Sequence, residues 1–268
     1  MAVNKDIDNG RNFDWGRASE DYAKYRDIYP EEFYEKIAGS GVCIQGQRVL
    51  DLGTGTGVLP RNMARFGASF TGADISENQI REARRLSREQ NLDIEYVVSS
   101  AEKVDFPDNT FDVVTACQCF MYFDQPVIFP HIYRMLKPGG RFVILFLAWL
   151  PDESKIAMQS EDLVLKYNPS WTGGRMQRHE PVAPECAREL FDVEQKTAFD
   201  IDIPFTRESW NGRIRACRGV DASLPDVPIM EFDREHRLLL ENTAPEAFYI
   251  PHYATILILK AKRQEPHR

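Results

Sequence analysis

Val49-Leu-Asp-Leu-Gly-Thr-Gly-Thr-Gly57 decides how this chain is read. Its apolar half, residues 48–52, reads as a short buried strand. The three glycines that follow bring backbone very close to a ligand, because glycine supplies positive φ and lacks a Cβ. A helix running to residue 66, with Pro60 in its first turn and Gly67 as its stop, presents N-terminal amides to the same spot. The spacing Gly53-x-Gly55-x-Gly57 is not the G-x-G-x-x-G of a dinucleotide fingerprint. A P-loop fails too, since Val58 and Leu59 stand where lysine and a hydroxyl residue belong. Asp51 sets a carboxylate at the strand's end.

Outward from the loop, strands and helices alternate. Residues 69–73 form a second strand closing on Asp74. Ser76, with Gln79 three residues on, opens a helix to about residue 90. Strands at 94–98 and 111–116 precede a helix at 126–136, which Lys137-Pro-Gly-Gly140 stops before an apolar strand at 141–149. A helix at 31–38 comes before them all. This alternation predicts βαβ units, hence an α/β fold with a parallel sheet between helices and right-handed crossovers. Beyond residue 150 the pattern loosens into helices at 154–167, 183–191, 207–217 and 232–241 and strands at 193–203 and 253–262.

Composition sets outer limits. With 268 residues, 43% hydrophobic and 28% charged, the chain is an ordinary globular one of one or two domains. Its longest apolar run, residues 142–150, is about half the ~20 residues that cross a bilayer. Asn4, Lys5, Asp6, Asp8 and Asn9 give the N-terminus no signal-peptide core. Cys43, Cys117, Cys119, Cys186 and Cys217 make neither a disulfide framework nor a metal spacing, so a cytoplasmic protein without a metal is expected. A net charge of −8 opposes binding to nucleic acid. Arg81, Arg84, Arg85 and Arg88, interrupted by Glu82 and Glu89, read as a solvated helix face.

Five segments in this order resemble the motifs of class I S-adenosylmethionine (SAM)-dependent methyltransferases, in the methyltransferase type 11 or UbiE-like group. They are residues 49–57, Gly72-Ala-Asp-Ile-Ser76, Ser99-Ser-Ala-Glu102, Phe106-Pro-Asp-Asn-Thr-Phe-Asp112 and Leu136-Lys-Pro-Gly-Gly140. The resemblance implies a Rossmann-like doubly wound sheet, mostly parallel with an antiparallel C-terminal strand, helices on both faces and a small cap. The division it suggests is an N-terminal cover (1–30), a SAM-binding core (31–150), a sheet-completing and acceptor-binding cap (151–252), a final strand (253–263) and a tail (264–268). SAM is the implied cofactor and S-adenosylhomocysteine the product.

Residue roles follow from that resemblance. Asp74 takes the ribose hydroxyls, with Ile75 beside it; as a plain helix-start acid it would only favour the macrodipole. Gly53, Thr54, Gly55 and Gly57 cradle the cofactor, and Asp51 meets its ammonium or orders the loop. Ser100 departs from the family's acid at the adenine amino group, leaving the Ala101 amide and Glu102 to read the ring. Ala116-Cys-Gln-Cys-Phe-Met-Tyr-Phe-Asp124 is similar to the strand-four exit of trans-aconitate methyltransferase-like enzymes. It sets Cys117 and Gln118 by the cofactor, with Phe120 and Tyr122 either walling the acceptor pocket or serving as core aromatics. Tyr22, Tyr25 and Arg26 lie in a segment similar to the family's cover, against the cofactor or the acceptor.

The acceptor is a small molecule. Neither a Pro-Cys dipeptide nor an Asn/Asp-Pro-Pro-Tyr/Phe motif is present for nucleic-acid methylation. His252 is the candidate general base. Trp171 and His179 belong to a loop that can close as a lid, and Arg213 with Arg215 can hold an acceptor carboxylate. The protein is expected to act as a monomer or homodimer away from membranes. A SAM-binding protein without transferase activity and an NAD-type oxidoreductase are the other readings.

Overall fold

The computed structural model describes residues 7–17 and 23–262, so the expectation for Tyr22 lies outside the described residues. The strands are β1 (Arg48–Leu52), β2 (Ser69–Asp74), β3 (Glu95–Val98), β4 (Phe111–Cys117), β5 (Leu136–Trp149), β6 (Phe191–Thr206) and β7 (Ala247–Ala261). They form one seven-stranded sheet in the order β3-β2-β1-β4-β5-β7-β6. β1 pairs in parallel with β2 and β4, β2 with β3, and β4 with β5. β6 and β7 are the antiparallel C-terminal strands of this Rossmann-like sheet.

The helices are α1 (Glu31–Gly39), α2 (Val58–Met63), α3 (Glu77–Glu89), α4 (Gln125–Met135), α5 (Lys155–Tyr167), α6 (Arg207–Arg215) and α7 (Asp226–Thr243). Ser76 caps α3 by accepting the Gln79 amide at 3.4 Å, as its sequence signature requires. Residues 183–191 are not the expected helix. A short 3-10 turn at Glu185–Ala187 leads straight into β6, because Phe191 is drawn into an aromatic cluster with Phe129 and Phe142. α7 begins six residues before the expected 232, since Pro228 sits within its first turn, where a missing N–H costs nothing.

Two compact units divide the chain. Among the described residues the first comprises 30–147, 180–199 and 254–262; the second comprises 7–17, 23–29, 148–179 and 200–253. The first unit's core runs through Leu50, Leu52, Val114, Phe129, Ile132, Phe142 and Leu257, all fully or almost fully buried. The second unit centres on Trp210, which contacts Trp149 and Phe205 edge-on and is fully buried.

Candidate functional site

In the first unit the strand order reverses at β1 and β4, where Leu52 pairs with Ala116. Ligands of open α/β sheets bind beyond the carboxyl ends of strands at such a switch point. The glycine loop leaves β1 there and the Cys117–Gln118 segment leaves β4. Gly53, Gly55 and Gly57 adopt φ of +63°, +56° and +73°. A Cβ on Gly53 would lie 2.7 Å from Cys119 Sγ, and one on Gly57 would strike the Tyr96 hydroxyl. The loop therefore needs glycine for both conformation and room.

Asp74 ties this loop to the next strand. Its Oδ2 accepts the Gly55 amide at 2.9 Å and its Oδ1 accepts the Ser76 amide at 2.8 Å. A carboxylate has about four acceptor positions, so the amides leave room for a ligand hydroxyl. Burial raises its pKa, and the Ser76, Gly55 and Ile75 backbone amides oppose that shift. Ile75, next to it, is 48% exposed and Val98, at the end of β3, is 45% exposed. Such aliphatic exposure beside a strand end suits the flat face of a base.

Asp51 lies deeper, 2% exposed. Thr115 donates its hydroxyl to Asp51 at 2.6 Å, yet burial still pushes the carboxyl up to about 7. The Thr54 hydroxyl also stabilises the Asp51 carboxylate, and the Thr56 hydroxyl oxygen is buried without a hydrogen bond. A cradle of three glycines, two carboxylates and the unspent Thr56 hydroxyl fits a cofactor carrying a diol and an ammonium.

Gln118 holds the unfavourable φ of +61°. Its amide nitrogen donates to the Leu147 carbonyl and its backbone amide to Leu145 at 3.0 Å. Strain of this kind in a non-glycine residue concentrates at functional sites. Cys117 is half-buried beside it. The Cys119 thiol donates to the Leu52 carbonyl at 3.0 Å, and burial keeps it protonated.

Other expected residues are placed differently. Glu102 accepts the Asp124 amide at 3.1 Å at the start of α4 and keeps further acceptor positions. Ala101 is buried, and the Ser100 carbonyl is occupied by the Lys103 and Val104 amides. Phe120 turns its ring into the core, edge-on to Phe129 at 5.9 Å and Phe142 at 5.7 Å. Tyr122 is half-buried in a short 3-10 turn. Sequence reasoning did not single out Tyr96, which props the loop and bonds Ser87 Oγ at 2.9 Å, because a strand tyrosine carries no motif.

In the second unit, α6 gathers three acceptor-side candidates. The Tyr25 ring packs so closely on Gly212 that a Cβ there would enter it, and its hydroxyl meets Glu208 at 3.2 Å. Arg213, 5% exposed, lies over Trp149 with 4.8 Å from guanidinium carbon to ring centroid. His252, 1% exposed, contacts Trp149 and Phe205 at 6.5 Å and 6.1 Å between centroids. Burial first, and the Arg213 charge last, hold its imidazole down at about 3. So weak a base in the resting protein is poorly suited to draw a proton at neutral pH.

Arg26 is half-buried, 6.0 Å from the Trp15 ring. Arg215 is committed to Asp233. Trp171 is 6% exposed and wedged against Gly173 and Gly219, so it packs inside this unit rather than presenting a face to solvent. His179 is exposed and bonds the Tyr253 hydroxyl at 2.5 Å through Nδ1.

A mostly parallel sheet with a glycine loop after β1 and an acid at the end of β2 is a Rossmann-like cofactor-binding arrangement. The Methyltransferase domain family matches residues 50–144. The chain is 32% identical over 161 residues to a ubiquinone biosynthesis O-methyltransferase of Pseudomonas entomophila, covering 59% of this chain and 68% of that protein. It is 41% identical over 102 residues to methyltransferase phqN of Penicillium fellutanum, covering 37% of this chain but only 31% of that relative's length. In fold it is similar to a putative type II methyltransferase from Anaeromyxobacter dehalogenans, with TM-score 0.57, 21% identity, 90% of this chain and 98% of that one. The chain belongs to the UbiE-like group of class I SAM-dependent methyltransferases.

Proposed function

We propose that the first unit binds SAM with its ribose on Asp74, its methionine part over Gly53, Thr54, Gly55 and Gly57, and its ammonium toward Asp51. The observation that carries this reading is the Asp74 carboxylate, fixed by the Gly55 and Ser76 amides with acceptor positions to spare. SAM would supply a sulfonium methyl for in-line transfer to an acceptor hydroxyl, the O–CH3 bond forming as the S–CH3 bond breaks and the hydroxyl proton leaving to solvent, with S-adenosylhomocysteine as the other product. A hydroxyl acceptor is supported by the O-methyltransferase relatives. A small-molecule acceptor, rather than nucleic acid, agrees with the net charge of −8. Gln118, locked to the ends of β4 and β5, orients the cofactor, and the protein's part is alignment more than covalent catalysis.

No described helix is long and apolar enough to cross a membrane. That and five cysteines outside any disulfide support a cytoplasmic enzyme. The test is calorimetric titration with S-adenosylhomocysteine, followed by incubation of the protein with methyl-labelled SAM and a cell extract. Binding and a labelled product are expected. Absence of S-adenosylhomocysteine binding by the folded wild type ends this reading.

A further inference from the structure

Four residues cross the parallel strands of the first unit in one row. Tyr96 of β3 pairs with Gly72 of β2, Gly72 with Asp51 of β1, and Asp51 with Thr115 of β4. Residues in register on adjacent strands point to the same face of a sheet. The row therefore lines up a phenol, a carboxylate and a hydroxyl, with one gap between them at Gly72. A Cβ there would lie 2.9 Å from Tyr96 Cδ1 and 2.8 Å from Thr54 Oγ1, so the Tyr96 ring and the Thr54 side chain both press into the space that glycine leaves. Beyond it the phenol abuts the glycine loop, where a Cβ on Gly57 would strike its hydroxyl.

α3 fixes the other end of this tyrosine. Ser87 Oγ, on a residue 3% exposed, bonds the Tyr96 hydroxyl at 2.9 Å, and Arg84 Nη2 donates to the Tyr96 carbonyl at 2.7 Å. Burial pushes the phenol up to about 12 and the Asp51 charge adds to the rise, so the hydroxyl keeps its proton within reach of the carboxylate's field. Across the gap, the Thr54 hydroxyl bonds Asp51. α3 is also the helix that follows Asp74. One packed line thus runs from the helix behind Asp74, through Ser87, Tyr96 and Thr54, to Asp51.

We propose that Tyr96, held by Ser87, is a positioning residue that acts through Gly57 and Thr54 to set Asp51 where the amino-acid tail of the cofactor meets it. The proposal rests on the SAM reading for the ligand. Its effect falls on the tail, because Asp74 is held by the Gly55 and Ser76 amides, bonds in which Tyr96 has no part.

The test is calorimetric titration of the full-length protein with two ligands. S-adenosylhomocysteine carries the tail; methylthioadenosine has the same nucleoside and sulfur without it. Tyr96→Phe keeps the ring and loses the bond to Ser87. It should weaken S-adenosylhomocysteine about fivefold, the equivalent of one ordinary hydrogen bond, and leave methylthioadenosine unchanged. Ser87→Ala should give the same selective loss, and the double variant no more than either alone. Gly57→Ala should weaken S-adenosylhomocysteine further, and adding Tyr96→Phe should restore part of that loss by removing the hydroxyl from the new methyl's path; the φ of +73° keeps the rest. A tyrosine that only supports the fold would lower the melting temperature and move both ligands alike. The proposal is overturned if Tyr96→Phe weakens both ligands equally or neither, or if its effect and that of Gly57→Ala simply add. Should Tyr96→Phe fail to fold, Ser87→Ala carries the same comparison of ligands. Wild-type protein that binds neither ligand strikes the SAM reading instead.

Discussion

The two units handle buried polarity in opposite ways. In the first, the polar groups at the site are tied to nearby backbone: Asp74 to the Gly55 and Ser76 amides, Gln118 to Leu147, Cys119 to Leu52. In the second, side chains far apart in sequence satisfy one another. Arg218 Nε and Nη2 reach Asp8 at 2.7 and 3.0 Å, and Thr172 gives Asp8 its backbone amide at 2.8 Å. His236, fully buried, joins Asn211 at 2.8 Å and Ser160 at 2.9 Å. Groups held by backbone can afford to leave lone pairs open for a ligand. Asp8, Arg218 and His236, held by other side chains, serve the fold.

The largest expected effect breaks the second pattern. Arg218→Ala strands the Asp8 carboxylate, whose side chain is 3% exposed. Breaking a buried pair from one side costs about 3–5 kcal/mol. Chemical denaturation should show that loss, while S-adenosylhomocysteine affinity of the variant that remains folded stays at the wild-type level. If affinity falls in parallel, the division of labour between the units is wrong.

Asp74→Ala is the counterpart in the first unit. It removes two charge-assisted acceptor contacts and the proposed diol partner, a loss of about 2–4 kcal/mol in S-adenosylhomocysteine binding by calorimetry. Its melting temperature should fall less than that of Arg218→Ala. An unchanged dissociation constant would remove Asp74 from the cofactor site.

The same difference explains what the sequence disclosed. Glycines at 53, 55 and 57 and the acid at 74 act through local backbone geometry, so their spacing along the chain carries the information. β1, the loop and α3 are therefore read almost to the residue. Tyr96 was invisible because its contact with Gly57 is tertiary, 39 residues away by the numbering. Asp8 with Arg218, and Tyr25 with Gly212, join segments that no local pattern links. Residues 183–191 misled for a related reason: a helical pattern yielded to the aromatic cluster that claims Phe191. Phe120 bears a residue type fit for a ligand, but the core took it.

Acid should separate the units by sign. Burial holds His236 and His252 down at about 3, below the ordinary histidine value of 6.5. Unfolding lets both take up protons, so their contribution to stability is present above pH 6.5 and is lost as the pH falls toward 3. Melting temperature measured from pH 7 to pH 4 should decline, and His236→Gln should flatten the decline relative to its own lower starting value. A slope the same in His236→Gln and wild type would show that other groups set the acid limit.

Asp51 titrates in the other direction and gives the smallest, sharpest test. Its folded pKa of about 7 stands above the ordinary 3.8, so its contribution to stability is full below 3.8 and lost as the pH rises through 7. A cationic cofactor reverses the balance, because a sulfonium with an ammonium favours the ionised carboxylate. SAM affinity should therefore rise with pH through the range around 7, by up to about tenfold per pH unit below the pKa, while apo-protein stability falls through the same range. Asp51→Asn keeps the shape and a partner for the Thr115 hydroxyl but cannot ionise. Its SAM affinity should be weaker at pH 8 and nearly level between pH 6 and pH 8, after allowance for the cofactor's own amino group measured free in solution. If the variant keeps the wild-type slope, Asp51 is not the group that feels the cofactor's charge, and the backbone-held site needs another anion to meet it.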